Sequence, residues 1–207
     1  MNEYWNEVWS NPNIKEYIGY AKNYATRKPE FLEIFKLHDI KSVCDAACGF
    51  GAYGVMLAKN GYEVSGFDIS ANSIHLTQRI MKELNCSFVE YKVCDITGIE
   101  YNDASFCAAV AHAVIDHISF AAAKTALNEL YRILRSGGLL YLSFDPLSEE
   151  DVSKKHELLE DGSRVYEDGL LFRHYTDDDI HILLNGRNVI YKHTNPRGDR
   201  EYVLQKQ

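Results

Sequence analysis

Three glycines at positions 49, 51 and 54 form a G-x-G-x-x-G pattern within the stretch VCDAACGFGAYG. This spacing is typical of a turn between a strand and a helix, where small residues let the backbone approach a nucleotide cofactor closely. Asp68 follows Gly49 by 19 residues, about the offset at which a carboxylate binds ribose hydroxyls. The pattern predicts chemistry that depends on a bound nucleotide, and it fits NAD and other adenosine-containing cofactors equally well.

Two further carboxylates distinguish between these cofactors. Asp45 directly precedes the glycine turn, where its charge would repel a pyrophosphate and attract an ammonium group. Asp95, in the stretch VCDI, ends another predicted strand and would accept a hydrogen bond from an exocyclic amine such as adenine N6. An NAD(P)-dependent oxidoreductase remains the alternative, because the glycine pattern and Asp68 also fit it, although no catalytic Tyr/Lys pair is recognisable.

The elements that must position these residues alternate along the chain, as short apolar runs followed by helical patterns. This alternation predicts an α/β fold with a Rossmann-like doubly wound sheet, mostly parallel, closed by an antiparallel C-terminal hairpin. A short helical stretch is expected around 148–160, and a strand over 170–175. The predicted strands span 41–46, 62–68, 87–95, 105–114, 137–144, 188–194 and 200–206, and the predicted main helices span 51–60, 71–85 and 121–134.

The same pattern predicts one domain over 1–207. We divide it into an N-terminal helical cap, a cofactor-binding core, a substrate-side insertion, and a terminal helix with a hairpin. These parts span 1–38, 39–145, 146–175 and 176–207. The cap is rich in aromatic residues, and Trp5 and Trp9 share a helix face at i, i+4 spacing. A cover over the cofactor and ordinary packing on the sheet explain this face equally well.

Four ordered motifs resemble the class I S-adenosylmethionine-dependent methyltransferase family. VCDAACGFGAYG is similar to the family's first motif, GFDIS to its acidic ribose motif, VCDI to its adenine motif, and LRSGGLLYLS to the motif around the fifth strand. The resemblance covers about 40–145 and implies the seven-stranded fold of that family, with S-adenosylmethionine as cofactor and S-adenosylhomocysteine as product. The family usually has glycine where this sequence has Ala47. Alanine is tolerated at this position if its φ is negative.

The resemblance also implies roles for individual residues. His112, after the fourth strand, is the candidate catalytic residue, and it would act as a base only if the acceptor must lose a proton. Asp116, Asp145 and Tyr20 are expected on the substrate side, although Asp116 and His117 also fit a solvated loop pair. The expected cofactor-binding residues are Asp45, Ala46, Ala47, Gly49, Gly51, Asp68, Ile69, Asp95, Ile96 and Ala111.

The composition of the chain limits the kinds of partner and location that we expect. A net charge of −8 argues against general nucleic-acid binding, and no apolar run is long enough to cross a membrane. The five cysteines form no C-x-x-C pair, so we expect reduced thiols and no metal site. The N-terminus lacks an apolar signal core, so a cytoplasmic location is expected. We therefore expect a methyltransferase acting on a small molecule, with a non-catalytic cofactor binder as a further alternative. The oligomeric state is not predicted.

Overall fold

A computed structural model describes residues 2–207. Three helices precede the first strand, and strands then alternate with helices through the cofactor-binding half. The elements of the first half are α1 (Asn2–Val8), α2 (Ile14–Thr26), α3 (Glu30–Leu37), β1 (Ser42–Ala46), α4 (Ala52–Lys59), β2 (Glu63–Asp68), α5 (Ala71–Glu83), β3 (Tyr91–Val93) and β4 (Phe106–Ala111).

The second half begins with a single 3₁₀ turn, Ile115–His117, and continues with both helices and short strands. Its elements are α6 (Phe120–Ile133), β5 (Leu134–Phe144), α7 (Glu149–Ser153), β6 (His156–Leu158), β7 (Arg164–Tyr166), β8 (Leu171–Phe172), α8 (Asp177–Leu184), β9 (Asn188–Thr194) and β10 (Arg200–Gln205). Among residues 2–207 no helix combines the length and the apolar character that a membrane span requires.

The main sheet has seven strands in the order β3-β2-β1-β4-β5-β10-β9. The five strands from β3 to β5 pair in parallel, whereas β10 pairs antiparallel with both β5 and β9. This arrangement confirms the predicted fold class, including the terminal hairpin. The order of the parallel strands reverses between β1 and β4, and ligands of such sheets bind at the carboxyl ends of the strands at this point.

Apolar side chains cover both faces of the sheet, as parallel strands require. The strand β4 is buried along its whole length. One apolar cluster includes Leu127 and Leu130 of α6, and the other includes Phe31 and Phe35 of α3. Helices on both faces thus hold the strand ends in fixed positions.

The insertion after β5 differs from its predicted structure. The helix α7 is only five residues long, and its first turn is capped by reciprocal hydrogen bonds between Ser148 and Asp151. The chain then forms a second, three-stranded antiparallel sheet, β6-β7-β8, with a turn at Gly162, whose φ is 85°. The helical expectation for 148–160 was wrong beyond the first turn, because backbone pairing with Arg164–Tyr166 determines the conformation of this segment.

Several strand boundaries also differ from the prediction, and the strand expected over 170–175 is only Leu171–Phe172. The third strand was expected over 87–95, but the regular strand spans only Tyr91–Val93, although Val89 and Cys94 also donate backbone hydrogen bonds to β2. The fifth strand begins at Leu134 rather than 137, and it passes through Gly137 at a φ of 75°. The fifth strand extends to Leu134 because this residue pairs with Phe106 of β4.

Candidate active site

A cavity of about 340 Å³ lies at the carboxyl ends of β1, β2 and β4. Its size falls within the usual range of small-molecule sites, about 300–1,000 Å³. Its walls contain Asp45 and Asp68 from two strand ends, Asp95 from the loop after β3, and His112 from the end of β4. The sheet topology thus brings together residues separated by up to 67 positions in the sequence.

The glycine turn has an unusual backbone. Ala47, Gly49 and Gly51 all have positive φ, at 53°, 53° and 79°. The expected negative φ at Ala47 is therefore wrong: this alanine occupies the left-handed region that glycine adopts without steric cost. Gly51 has no room for a side chain, since an added Cβ would lie 2.7 Å from Cγ2 of Thr77.

Gly54, the last glycine of the pattern, makes space for a buried hydrogen bond. A Cβ at this position would lie 2.0 Å from the hydroxyl oxygen of Tyr91 and 2.8 Å from Oδ2 of Asp45. The Tyr91 hydroxyl donates to that same Oδ2 at 3.1 Å, and the backbone N–H of Gly54 also donates to Asp45. Gly54 therefore holds the carboxylate in place and does not itself line the cavity.

Burial dominates the electrostatics of Asp45, which is 3% exposed. Removal from water raises the pKa of its carboxyl group to about 7, even though Tyr91 and Gly54 donate hydrogen bonds to the charged form. A cationic group in the cavity would oppose this shift. Asp45 thus combines a local structural role with a place in the cavity wall.

Asp68 lies at the end of β2 and is 6% exposed. Its Oδ2 accepts a hydrogen bond from the backbone N–H of Gly49 at 2.9 Å, and its Oδ1 accepts one from the N–H of Ser70 at 2.9 Å. Burial raises the pKa of this carboxyl group despite these bonds. Each oxygen keeps further acceptor capacity for a ligand hydroxyl, and the neighbouring Ile69 also lines the cavity.

The loop after β3 forms the opposite wall. Asp95, Ile96 and Thr97 all line the cavity. The Asp95 carboxylate is fixed by the backbone N–H of Thr97 at 2.8 Å and by its hydroxyl at 2.7 Å, both to Oδ1. The other carboxylate oxygen and the apolar Ile96 side chain offer an acceptor beside a flat apolar surface, which suits a purine ring.

His112 is held from one side of its ring. Its Nδ1 lies 2.8 Å from the Ser143 hydroxyl oxygen, which already accepts the backbone N–H of Ala113 at 2.9 Å. If the hydroxyl uses its one proton to donate to Nδ1, the imidazole proton is on Nε2, and this is the tautomer that we adopt. Burial lowers the pKa of His112 to about 4. A neutral ring with N–H toward the cavity is a hydrogen-bond donor and a poor proton acceptor.

Aromatic rings from the N-terminal helices cover the cavity. Trp5, Trp9 and Tyr24 line it, and a Cβ added at Gly49 would lie 3.5 Å from Cζ2 of Trp9. The helix α1 is tied down by Asn6, whose side-chain oxygen accepts a hydrogen bond from the Ser70 hydroxyl and whose backbone oxygen accepts one from the Asn72 amide. The aromatic face of α1 thus closes the cavity and also packs on the core.

A second cavity of about 360 Å³ adjoins the first, and His112, Ala113 and His117 line both. Its other walls come from the end of β5, the β6–β8 insertion and the β9–β10 turn. Asp145, Phe172 and Asp199 are among these residues. The segment predicted to be a substrate-side insertion forms part of this wall.

Not every predicted site residue lies in a cavity wall. Nine line the first cavity: Asp45, Ala46, Ala47, Gly49, Asp68, Ile69, Asp95, Ile96 and His112. Asp145 lines only the second cavity. Gly51 and Ala111 are buried beside the first cavity without lining it, as described for Gly51 above.

Two residues expected on the substrate side, Tyr20 and Asp116, do not line either cavity. Tyr20 is 47% exposed, donates its hydroxyl hydrogen bond to Glu16, and lines neither cavity. Asp116 is fully buried behind the second cavity and accepts a hydrogen bond from the backbone N–H of Asp145. The alternative of a solvated loop pair is also wrong, because His117 packs edge-on against Trp5 and lines both cavities.

Sequence reasoning did not assign Tyr53 and His117 to the site, although both line it. Tyr53 follows the glycine turn, and its ring lies 4.4 Å from the His112 ring. His117 bonds through Nδ1 to the backbone oxygen of Leu171 at 3.1 Å. Tyr53 lies within the glycine motif but has no role of its own in that pattern, and His117 reaches the site through contacts with distant segments. The described residues contain no cluster of three or more His, Cys, Asp or Glu side chains suited to a metal ion.

Comparison with known proteins agrees with this geometry. A family model described as a methyltransferase domain matches residues 43–138. No curated protein sequence matches the chain. A SAM-dependent methyltransferase from Methanosarcina mazei superposes with a TM-score of 0.71 at 22% identity, covering 86% of this chain and 98% of the other. One from Clostridium acetobutylicum gives 0.69 at 14% identity, covering 96% and 94%.

A third structure holds ligands. It is the 1,6-didemethyltoxoflavin-N1-methyltransferase of Burkholderia thailandensis, solved with 1,6-didemethyltoxoflavin and S-adenosylhomocysteine, with a TM-score of 0.65 at 16% identity over 97% of this chain and 81% of that one. At such identities the likeness establishes the fold. Together with the match of the methyltransferase-domain model over 43–138, it gives this chain the fold of the class I methyltransferases.

Proposed function

We propose that the protein transfers the methyl group of S-adenosylmethionine to a small-molecule acceptor. The observation that carries this proposal is the pair of adjoining cavities that share His112, Ala113 and His117. One cavity has the residues for a nucleoside cofactor, and the other, of about 360 Å³, has room for a small second molecule. A methyl group at their junction would face both.

The residues of the first cavity fit the cofactor chemically. Asp68 would bind the ribose hydroxyls with the acceptor capacity left on its two oxygens, and Asp95 with Ile96 would hold the adenine ring. Asp45 would face the amino group of the methionine part, because the carboxylate lines the cavity directly beside the glycine turn. A pyrophosphate at that position would meet a buried negative charge, which disfavours the NAD(P)-dependent alternative.

Bound S-adenosylmethionine supplies a methyl group on an activated sulfonium, so the protein must chiefly align the acceptor and exclude water. The aromatic rings of Trp5 and Trp9 exclude water from the cofactor side. His112 would donate a hydrogen bond from Nε2 to the acceptor or to the cofactor. Because its pKa is about 4, this ring is an unsuitable base at neutral pH, and we assign it a positioning role in place of the predicted base.

The open second cavity also bears on the third alternative, a binder without catalysis. A filled cleft beside the methyl position would support that alternative, whereas here Asp145 and Phe172 border free space. The toxoflavin methyltransferase, whose fold this chain shares, was solved with a small organic acceptor. This neighbour supports an acceptor of similar size, of a chemical class that it does not define.

Calorimetric titration of the purified chain tests the proposal, with S-adenosylhomocysteine in one run and NAD in a second. We expect micromolar binding of S-adenosylhomocysteine and no heat with NAD. Transfer of labelled methyl groups from S-adenosylmethionine into a library of small metabolites would then test the acceptor class. Methylation confined to protein or RNA fractions would contradict a small-molecule acceptor.

A further inference from the structure

The second cavity has more acidic than basic groups in its wall. Asp145, Asp151 and Asp199 face a single guanidinium, that of Arg197. The two histidines of the wall add no positive charge at neutral pH, since burial lowers the pKa of both His112 and His117. A ligand in this cavity therefore experiences a net negative field.

One of these carboxylates is buried and incompletely bonded. The side chain of Asp199 is 7% exposed, and its Oδ2 accepts hydrogen bonds from Asn195 at 2.7 Å and from Arg197 at 2.5 Å. No group within residues 2–207 donates to its Oδ1. Because Asp199 lines the cavity, this oxygen keeps acceptor capacity that a ligand with N–H groups would use.

Asp145 is a second carboxylate of this cavity wall with unused acceptor capacity. Its backbone N–H donates to Asp116, but its half-buried carboxylate accepts no hydrogen bond from the described side chains or backbone. Burial and the negative charges of Asp199 and Asp151 raise the pKa of the Asp145 carboxyl group, and Arg197 offsets part of this effect. A cation between Asp145 and Asp199 would relieve this repulsion and satisfy both groups.

The only guanidinium in the wall is poorly placed to reverse this preference. The side chain of Arg197 is 59% exposed and already paired with Asp199. An anionic ligand would have to compete with that pair while approaching the carboxylate of Asp145. The geometry thus favours a cation over an anion.

We propose that the second cavity takes its acceptor as a protonated amine, with the ammonium group between Asp145 and Asp199 and the hydrocarbon part against Phe172 and Leu170. This inference rests on the proposed function, since it assigns the acceptor class of that same site. The amine is the recognition group of the acceptor, whichever of its atoms is methylated.

The test uses the full chain saturated with S-adenosylhomocysteine and three probes of matched size: phenethylamine, phenethyl alcohol and phenylacetate. Binding is measured by calorimetry or by NMR titration at neutral pH. We expect phenethylamine to bind at least about tenfold more tightly than the alcohol, a difference typical of a desolvated charge pair. Phenylacetate should bind more weakly than the alcohol.

Variants locate the effect. Asp145→Asn should remove most of the preference for the amine, and Arg197→Gln should strengthen amine binding because it frees Asp199. Asp178→Asn, an exposed carboxylate in the first turn of α8, is the matched charge control and should leave the preference intact. If Asp145→Asn fails to fold, the Arg197→Gln result alone decides between a cation and an anion.

The outcomes separate the two proposals. Equal binding of amine and alcohol, undetectable amine binding, or a preference for phenylacetate that Arg197→Gln abolishes would each overturn the amine assignment and leave the methyltransferase site standing. Failure of S-adenosylhomocysteine to bind at the start would instead overturn the assignment of the first cavity.

Discussion

Binding of S-adenosylhomocysteine should depend on pH through Asp45. Without a ligand, burial holds the pKa of this carboxyl group at about 7, far above the value of an exposed aspartate. The ammonium group of the ligand stabilises the charged carboxylate, so its pKa falls on binding. The ligand therefore binds the ionised form more tightly, binding releases a proton, and affinity rises as the pH increases through 7.

The magnitude follows from the fraction of ionised carboxylate. At about pH 6 only about one tenth of the free protein carries an ionised Asp45, whereas at about pH 8 about nine tenths does. The dissociation constant should therefore fall by roughly tenfold between these values, or about 1.4 kcal/mol. The ring of His112 does not contribute, because its pKa of about 4 lies outside this window.

Calorimetry in two buffers of different ionisation enthalpy measures the effect directly. Near pH 7 the difference between the observed heats should correspond to release of about half a proton. Asp45→Asn should abolish both the proton release and the pH dependence. A dissociation constant that stays flat between these pH values, or that rises with pH, would refute the assignment of Asp45 to the ligand's amino group.

Three other predictions test separate parts of the site. Asp68→Ala should weaken S-adenosylhomocysteine binding by about 1.5–3 kcal/mol, because buried ribose hydroxyls lose a charged partner; unchanged affinity in calorimetry would remove Asp68 from the ribose site. Gly54→Ala should lower the free energy of unfolding by about 1–3 kcal/mol, because the new Cβ forces the Tyr91 hydroxyl away from Asp45; a denaturant midpoint equal to that of the wild type would contradict this. His112→Ala should lower kcat and leave S-adenosylhomocysteine affinity nearly unchanged, and the kcat profile of the wild type should show no ionisation near 6.5; loss of cofactor binding with normal turnover would reverse the role of His112.

Local pattern was sufficient to predict the parallel sheet and the position of the glycine turn. Gly51 has a positive φ, and Asp68 ends an apolar strand. The residues next to them in the sequence are therefore enough to predict their structural roles. The same reasoning failed where distant contacts decide. Pairing with Arg164–Tyr166 makes a strand of 156–158, and packing against Trp5 carries His117 into the cavity wall.

Tyr20 and Trp9 illustrate the same limit within one segment. Both are aromatic residues of the N-terminal cap, yet Tyr20 points to solvent and Trp9 covers Gly49. The difference arises from how α1 and α2 dock on the sheet, which the aromatic spacing alone does not define.

The docking of α1 has a consequence for the rate of turnover. Trp5 and Trp9 cover the cofactor cavity, and Asn6 fastens the helix to the start of α5 through Ser70 and Asn72. We expect spent cofactor to leave after these hydrogen bonds break and the helix moves outward, a motion independent of the acceptor's chemistry. We expect the enzyme to show an initial burst of product followed by a slower steady rate, with that steady rate the same for good acceptors and set by the N-terminal helix.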